Sequence, residues 1–358
     1  MSGEKLRIFV SYSHEDVEIY KAVCATLRTA GLSPVSDADL RPGQGFTEQI
    51  QAGISHAHVL VPILTPRSHG RGWVHQEIGF AVALKIPYVP ICVGNLPDGM
   101  IAASQGIVLH ETLADLAEKL SAVDFAGAVD RAGKQAVPPI LVADEPETRA
   151  QAIQEYADAA FLSVGPQRIR ISGGLSSFSL PDEEPDHERW SAAYGKLPRS
   201  QFSYRLIRNE HLALKKHAVQ AGLSLVANIG LDLDEHRGPG VTRTRLGLLH
   251  AFLSSSALSD DKLQIAIVRN QPPDVTLAVG DWFIAESRAA RAVRGVLHTV
   301  FMAHAPTVRQ RIFHFDRRLS SILEGERIEA RHSRQHALKL IEARIQELDL
   351  RADVAAKS

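Results

Sequence analysis

The chain has 358 residues, of which 45% are hydrophobic and 23% charged, with 40 Lys and Arg against 41 Asp and Glu and a formal net charge of -1. That length holds two domains, each able to bury its own core, and the balanced charge removes the electrostatic case for nucleic acid or an anionic membrane as partner. The two cysteines, Cys24 and Cys92, stand in separate apolar runs without CxxC or Cys/His ligand spacing, so buried thiols are expected and no metal. The first residues, MSGEKLRIFV, lack the apolar core of a signal peptide, and no run approaches a membrane span, which together predict a cytoplasmic protein.

In chain order, RIFVS (7–11) reads as a buried strand, and Ser13 opens a helix in which Val17, Tyr20, Val23, Cys24 and Leu27 recur at helical spacing until Gly31. LSPVSDADL (32–40) holds a short strand followed by the loop RPGQG (41–45), and a helix over 47–57 leads to the apolar strand HVLVPILT (58–65). A helix over 72–85, the strand YVPICV (88–93), the strand GIVLH (106–110) and the helix TLADLAEKLS (112–121) close the unit. Apolar strands alternating with helices predict a parallel sheet covered on both faces. Ligands of such sheets bind at the carboxyl ends of the strands, where Tyr12–Ser13, Asp37–Phe46 and the approach to Trp73 converge.

Three of these stretches, IFVSYSHED (8–16), DADLRPGQGF (37–46) and WVHQEI (73–78), resemble in order and spacing the motifs of the Toll/interleukin-1 receptor (TIR) domain. The resemblance covers about residues 5–123 and implies a flavodoxin-like α/β domain over 1–125; Gly-, Pro- and Ala-rich composition gives a linker or docked crossover over 126–148, and renewed strand-helix alternation a second α/β domain over 149–358. TIR domains include scaffolds and enzymes that cleave NAD+ between nicotinamide and ribose, and fold alone does not choose between them. In the enzymes the catalytic glutamate closes a W-x-x-x-E motif, the place Glu77 occupies here, four residues after Trp73. The resemblance further implies nucleotide contacts from Tyr12, Ser13 and His14, a tight loop path through Gly43, and stacking of Phe46 on a planar part of the dinucleotide. Enzymatic relatives often carry arginine after the SY pair; here Ser13-His14 stands instead, and Arg41 is the candidate substitute for phosphate contacts.

The chemistry needs few groups. Nicotinamide already leaves as a neutral base, so no general acid is required, and one carboxylate can serve where ordinary glycosidases use two. An indole one helical turn from Glu77 would wall the pocket and strengthen the carboxylate's field. Simpler readings stand beside these: Trp73 as a core anchor, Phe46 as a staple for its loop, and His14 and His75 as surface histidines. The expected partners are therefore NAD+ as substrate rather than cofactor, further copies of the chain through TIR–TIR contacts, and an unknown trigger sensed by the C-terminal domain in anti-phage defence. The product is linear or cyclic ADP-ribose. The alternative is a non-enzymatic TIR scaffold that associates through residues 39–46.

Beyond residue 149 the sequence predicts helix QAIQEYADAAFL, strand RIRIS, an exposed Pro-rich loop from Leu180 to Arg199, helix HLALKKHAVQAG and strand LSLVANIG. Helix TRLGLLHAFL, strands KLQIAIV and DVTLAVG, a helix around Ser287–Arg294 and a last helix over 325–350 follow. The segment KLQIAIVRNQPPDVTLAVGD bears a slight resemblance to phospholipase D-like folds but lacks their HxKxxxxD signature, which argues against hydrolysis there. The SGG of 172–174 fits turn chemistry better than a phosphate cradle, and LDEHRGPG (233–240) an exposed loop.

Overall fold

The computed structural model describes residues 5–36, 46–68, 72–94, 106–175, 177–184, 187–194, 200–230, 239–269, 275–289 and 296–357. Their contacts form two units, residues 1–138 with 303–310 and residues 139–302 with 311–358.

The first unit runs β1 (Arg7–Ser11), α1 (Val17–Thr29), β2 (Ser33–Val35), α2 (Phe46–Ser55), β3 (Val59–Leu64), α3 (Gly72–Ala83), β4 (Ile91–Val93), β5 (Ile107–Leu109), α4 (Leu116–Ser121) and α5 (Phe125–Gly133). Its strands pair in parallel in the order β2-β1-β3-β4-β5, the flavodoxin-like order. Strand alternation supplies two cores. Ile8, Val10 and Tyr12 pack with Val23 and Leu27 of α1, whereas Phe9 and Leu60 pack with Ile50 and Ile54 of α2 and Val74 and Ile78 of α3. Helix α2 lies close on β1 because Gly53 has no side chain: a Cβ there would stand 2.6 Å from the Phe9 ring. Both cysteines are buried.

The second unit holds β6 (Leu141–Ala143), α6 (Pro146–Val164), β7 (Ile169–Gly173), α7 (His187–Tyr194), α8 (Gln201–Ala221), β8 (Leu223–Asn228), α9 (Pro239–Ser254) and β9 (Leu263–Val268). Strands β10 (Val275–Val279), β11 (Phe283–Ala289) and β12 (Val296–Met302) follow, then α10 (Ala305–Gly325), which belongs to this unit from residue 311 on, and α11 (Ser333–Lys357). The sheet order is β6-β12-β11-β10-β7-β8-β9; β7, β8 and β9 are parallel, and the remaining pairings are antiparallel. One face packs on α6, α8, α9 and α11 through Ile153, Leu214, Leu249 and Ile341. The other meets Phe315, Leu319 and Leu323 of α10, beside a bidentate pair from Arg170 to Asp316 at 2.9 and 3.2 Å. Helix α11 therefore packs on its own unit.

Several expectations are corrected. Residues 126–148 are not a linker: they contain most of α5, which Asp124 caps through Gly127 N at 2.8 Å, then β6 and the start of α6. Among its described residues the segment 180–199 is no exposed loop. It carries α7 with Trp190 fully buried, and its start is strapped to α8, where Asp182 Oδ1 lies 2.7 Å from His211 Nε2 and 2.6 Å from Lys215 Nζ. The hydrogen bond from His211 first, and then that from Lys215, hold the Asp182 carboxyl below the usual carboxylate range. Residues 287–289 end a strand, β11, rather than beginning a helix, and α10 lies where no helix was expected. The loop 231–238 and residues 290–295 lie outside the described residues.

His217 joins two helices of this unit to the start of β7. The Gln167 N–H donates to its Nδ1 at 2.8 Å, so Nε2 carries the proton and donates to Ala157 O at 2.9 Å. Burial, the first cause, holds its pKa below the ordinary imidazole value. The unfolded chain therefore binds the proton more readily, and the stabilisation present above about pH 6.5 is lost as pH falls below it. Thermal denaturation should show the melting temperature dropping between about pH 7.5 and about pH 5.5, and dropping less in His217→Gln. Equal slopes in the two proteins would contradict this assignment.

Candidate functional site

In the order β2-β1-β3 the chain crosses from β1 to one side and returns from β2 to the other, so the sheet's crevice opens between the carboxyl ends of β1 and β3. Two segments leave the strands there. After β1 come Tyr12 and Ser13 and a 3-10 turn over His14–Asp16; after β3 comes the turn Thr65–Ser68, on the way to α3.

A network of short side chains ties these segments together. The Thr65 hydroxyl donates to Asp16 Oδ2 at 2.7 Å, and Thr65 Oγ1 also accepts from the backbone N–H of Arg67 and Ser68 at 3.1 and 3.2 Å. Ser68 Oγ accepts from Thr65 N at 2.8 Å and donates to Thr65 O at 3.0 Å. Asp16, Thr65 and Ser68 are all buried, and Arg67 Nη1 lies 4.0 Å from Asp16 Oδ1. The turn that delivers α3 is thus fixed to the end of β1.

On α3, Val74, Ile78 and Ala81 form the buried stripe, and Glu77 lies within it, 6% exposed. The spacing 74, 77, 78, 81 is that of a core-facing helix surface, so the carboxylate occupies a position where an apolar side chain would pack. Trp73, one turn earlier, is half-buried against the same cluster. It packs on the core, as an anchor would, one turn from Glu77.

The other expected residues fall differently. Tyr12 points to the opposite layer, stacked on Tyr20 at 4.1 Å between ring centroids and 11° between planes. Ser13 is buried, and His14 is exposed with its ring edge-on to Tyr12. Phe46 is the first residue of α2, with its side chain outside the described residues, as are Arg41 and Gly43. The structure therefore buries Glu77 on α3, one turn from the half-buried Trp73, and sends the Tyr12 ring into the α1 layer. Asp16, Thr65 and Ser68 were not foreseen from the sequence; their signal was small polar residues directly after two apolar strands. In the second unit Ser172 and Gly173 are not a turn but the end of β7, with Gly173 at φ 143°; only Gly174 lies beyond the strand, in a bend, and Arg245 of α9 donates to Ser179 Oγ at 2.9 Å and Leu175 O at 2.6 Å. Among the described residues no group of three His, Cys, Asp or Glu could hold a metal ion, and no helix is long and apolar enough to cross a membrane.

The family model of the TIR domain matches residues 8–123, the span that contains this rim. The N-terminal unit is a TIR domain. Among solved structures, the TIR domain is similar to that of the Toll-related receptor TRR-2 from Hydra magnipapillata, at 16% identity over 28% of this chain and 82% of that chain, with a TM-score of 0.27. A metazoan TIR-STING receptor from C. gigas aligns at 9% identity over 76% of this chain and 92% of that chain, with a TM-score of 0.28. No curated protein matches the chain.

Removing the Thr65 hydroxyl leaves the buried Asp16 carboxylate without its nearest donor. Thr65→Val should destabilise the TIR domain by about 1–3 kcal/mol in urea denaturation. An unchanged midpoint would show that the network does not hold the turn.

Proposed function

We propose that the TIR domain is an NAD+ glycohydrolase with Glu77 as its catalytic carboxylate. The observation that carries this reading is the placement of Glu77, buried in the apolar stripe of α3 beside the crevice of a doubly wound sheet. A glutamate kept for solubility would face water, whereas one held in low dielectric exerts a stronger field on a nearby cation.

In the proposed reaction the bond between C1 of the ribose and the nicotinamide nitrogen breaks, and its electron pair leaves with the base, which departs neutral. Positive charge grows on the ribose, and Glu77 stabilises it. Water then adds at C1 and releases a proton, giving nicotinamide, ADP-ribose and H+; attack by a nitrogen of the adenine instead gives the cyclic product. Trp73 shields the carboxylate from water on one side. Assembly of several TIR domains, set by a signal received in the second unit, is proposed as the control on this activity.

Purified protein, dilute and clustered on a multivalent support, is incubated with NAD+, and nicotinamide release is followed by chromatography. Wild type should release nicotinamide, and Glu77→Gln should be slower by on the order of 100-fold or more. Silence of the clustered wild type, or equal rates in the two proteins, would sink the reading.

A further inference from the structure

Ser11 ends β1 and is 2% exposed, and its Oγ is buried with no hydrogen-bond partner among the described residues. Ser13 Oγ shares that condition at 6% exposure. A buried hydroxyl left without a partner costs on the order of 1–3 kcal/mol, and folded proteins rarely leave one without a reason. Packing supplies no reason here, because alanine would fill a pleat position beside Phe9 without that cost.

The pleat fixes which way these hydroxyls face. Phe9 packs on α2 and α3, and Ser11, two residues on, lies on the same side, in register with Pro62 of β3. Tyr12 goes to the α1 layer, and Ser13 keeps an extended backbone at φ -81° and ψ 134°, so Ser13 returns to the side of Ser11. Ser11 therefore stands on the sheet face that α2 and α3 cover, at the switch point between β1 and β3, and Ser13 follows it two residues on.

We propose that Ser11 is a substrate-contacting residue of the Glu77 site, its hydroxyl reserved for a hydroxyl of the ribose that loses nicotinamide, with Ser13 beside it. This assignment rests on the glycohydrolase reading. A sugar hydroxyl donates and accepts, as serine does, so each completes the other. The neighbouring carboxylate selects this end of the dinucleotide, since Glu77 attracts the cationic nicotinamide riboside and repels the pyrophosphate.

The test uses full-length Glu77→Gln, which keeps NAD+ intact, with and without Ser11→Ala. Calorimetry should show Ser11→Ala weakening NAD+ binding by about 5- to 10-fold, the worth of one hydrogen bond. Melting temperature should stay level or rise, because the lost hydroxyl has no partner among the described residues. Equal affinities overturn the assignment of Ser11 while leaving the glycohydrolase reading intact. A marked fall in melting temperature overturns it too, by revealing a structural role. Failure of Glu77→Gln itself to bind NAD+ takes down both.

Discussion

The burial of one carboxylate in an apolar helix stripe is the constraint around which the TIR domain is arranged. Glu77 shares its helix face with Val74, Ile78 and Ala81, which pack against Phe9 and Leu60 of the sheet. Placing a carboxylate there costs desolvation that valine would not incur. The arrangement is tolerable because the first turns of α3 stand at the rim of the sheet, where the order β2-β1-β3 opens a crevice. Rim and stripe meet only because the turn after β3 is tied to the end of β1 by Asp16, Thr65 and Ser68. The polar network fixes the turn after β3, and the apolar stripe sets which way Glu77 points.

The second unit is built on different terms. Its mixed sheet buries one face under four helices, and polar pairs sit inside the packing: Arg149 Nη1 meets Glu210 Oε1 at 3.0 Å, and the Ser287 and Thr299 hydroxyls meet at 2.7 Å. Buried pairs of this kind contribute little net stability but penalise alternative packings, because breaking one strands a charge. Such features account for a fixed fold and name no chemistry.

How much could be read from the sequence differs between the units. In the TIR domain the strands are short apolar runs and the helices have clear periods, so element order and sheet type were legible, and the W-x-x-x-E spacing pointed to Glu77. The direction of Tyr12 was not: SYS reads as a polar cluster until alternation from Phe9 assigns the tyrosine to the α1 layer and the serines to the other. In the second unit, Phe283–Ala289 contains Ala, Glu and Arg, good helix formers, and became a strand through pairing with β10 and β12, information that no local window holds. The missed α10 was legible after all, with Val308, Ile312, Phe315, Leu319 and Leu323 at helical spacing. Trp190 was hidden by its setting: a Pro-rich, acidic stretch reads as solvent-exposed, and its order depends on Arg208, His211 and Lys215 of α8, far along the chain.

The central claim is that the rim formed by the end of β1 and the start of α3 receives the nicotinamide-ribose end of NAD+. A crystal structure of Glu77→Gln grown with NAD+ tests it most directly. The account predicts the ribose beside residue 77, with its hydroxyls toward Ser11. NAD+ bound in the second unit, or at this rim with its adenine end against residue 77, would contradict it.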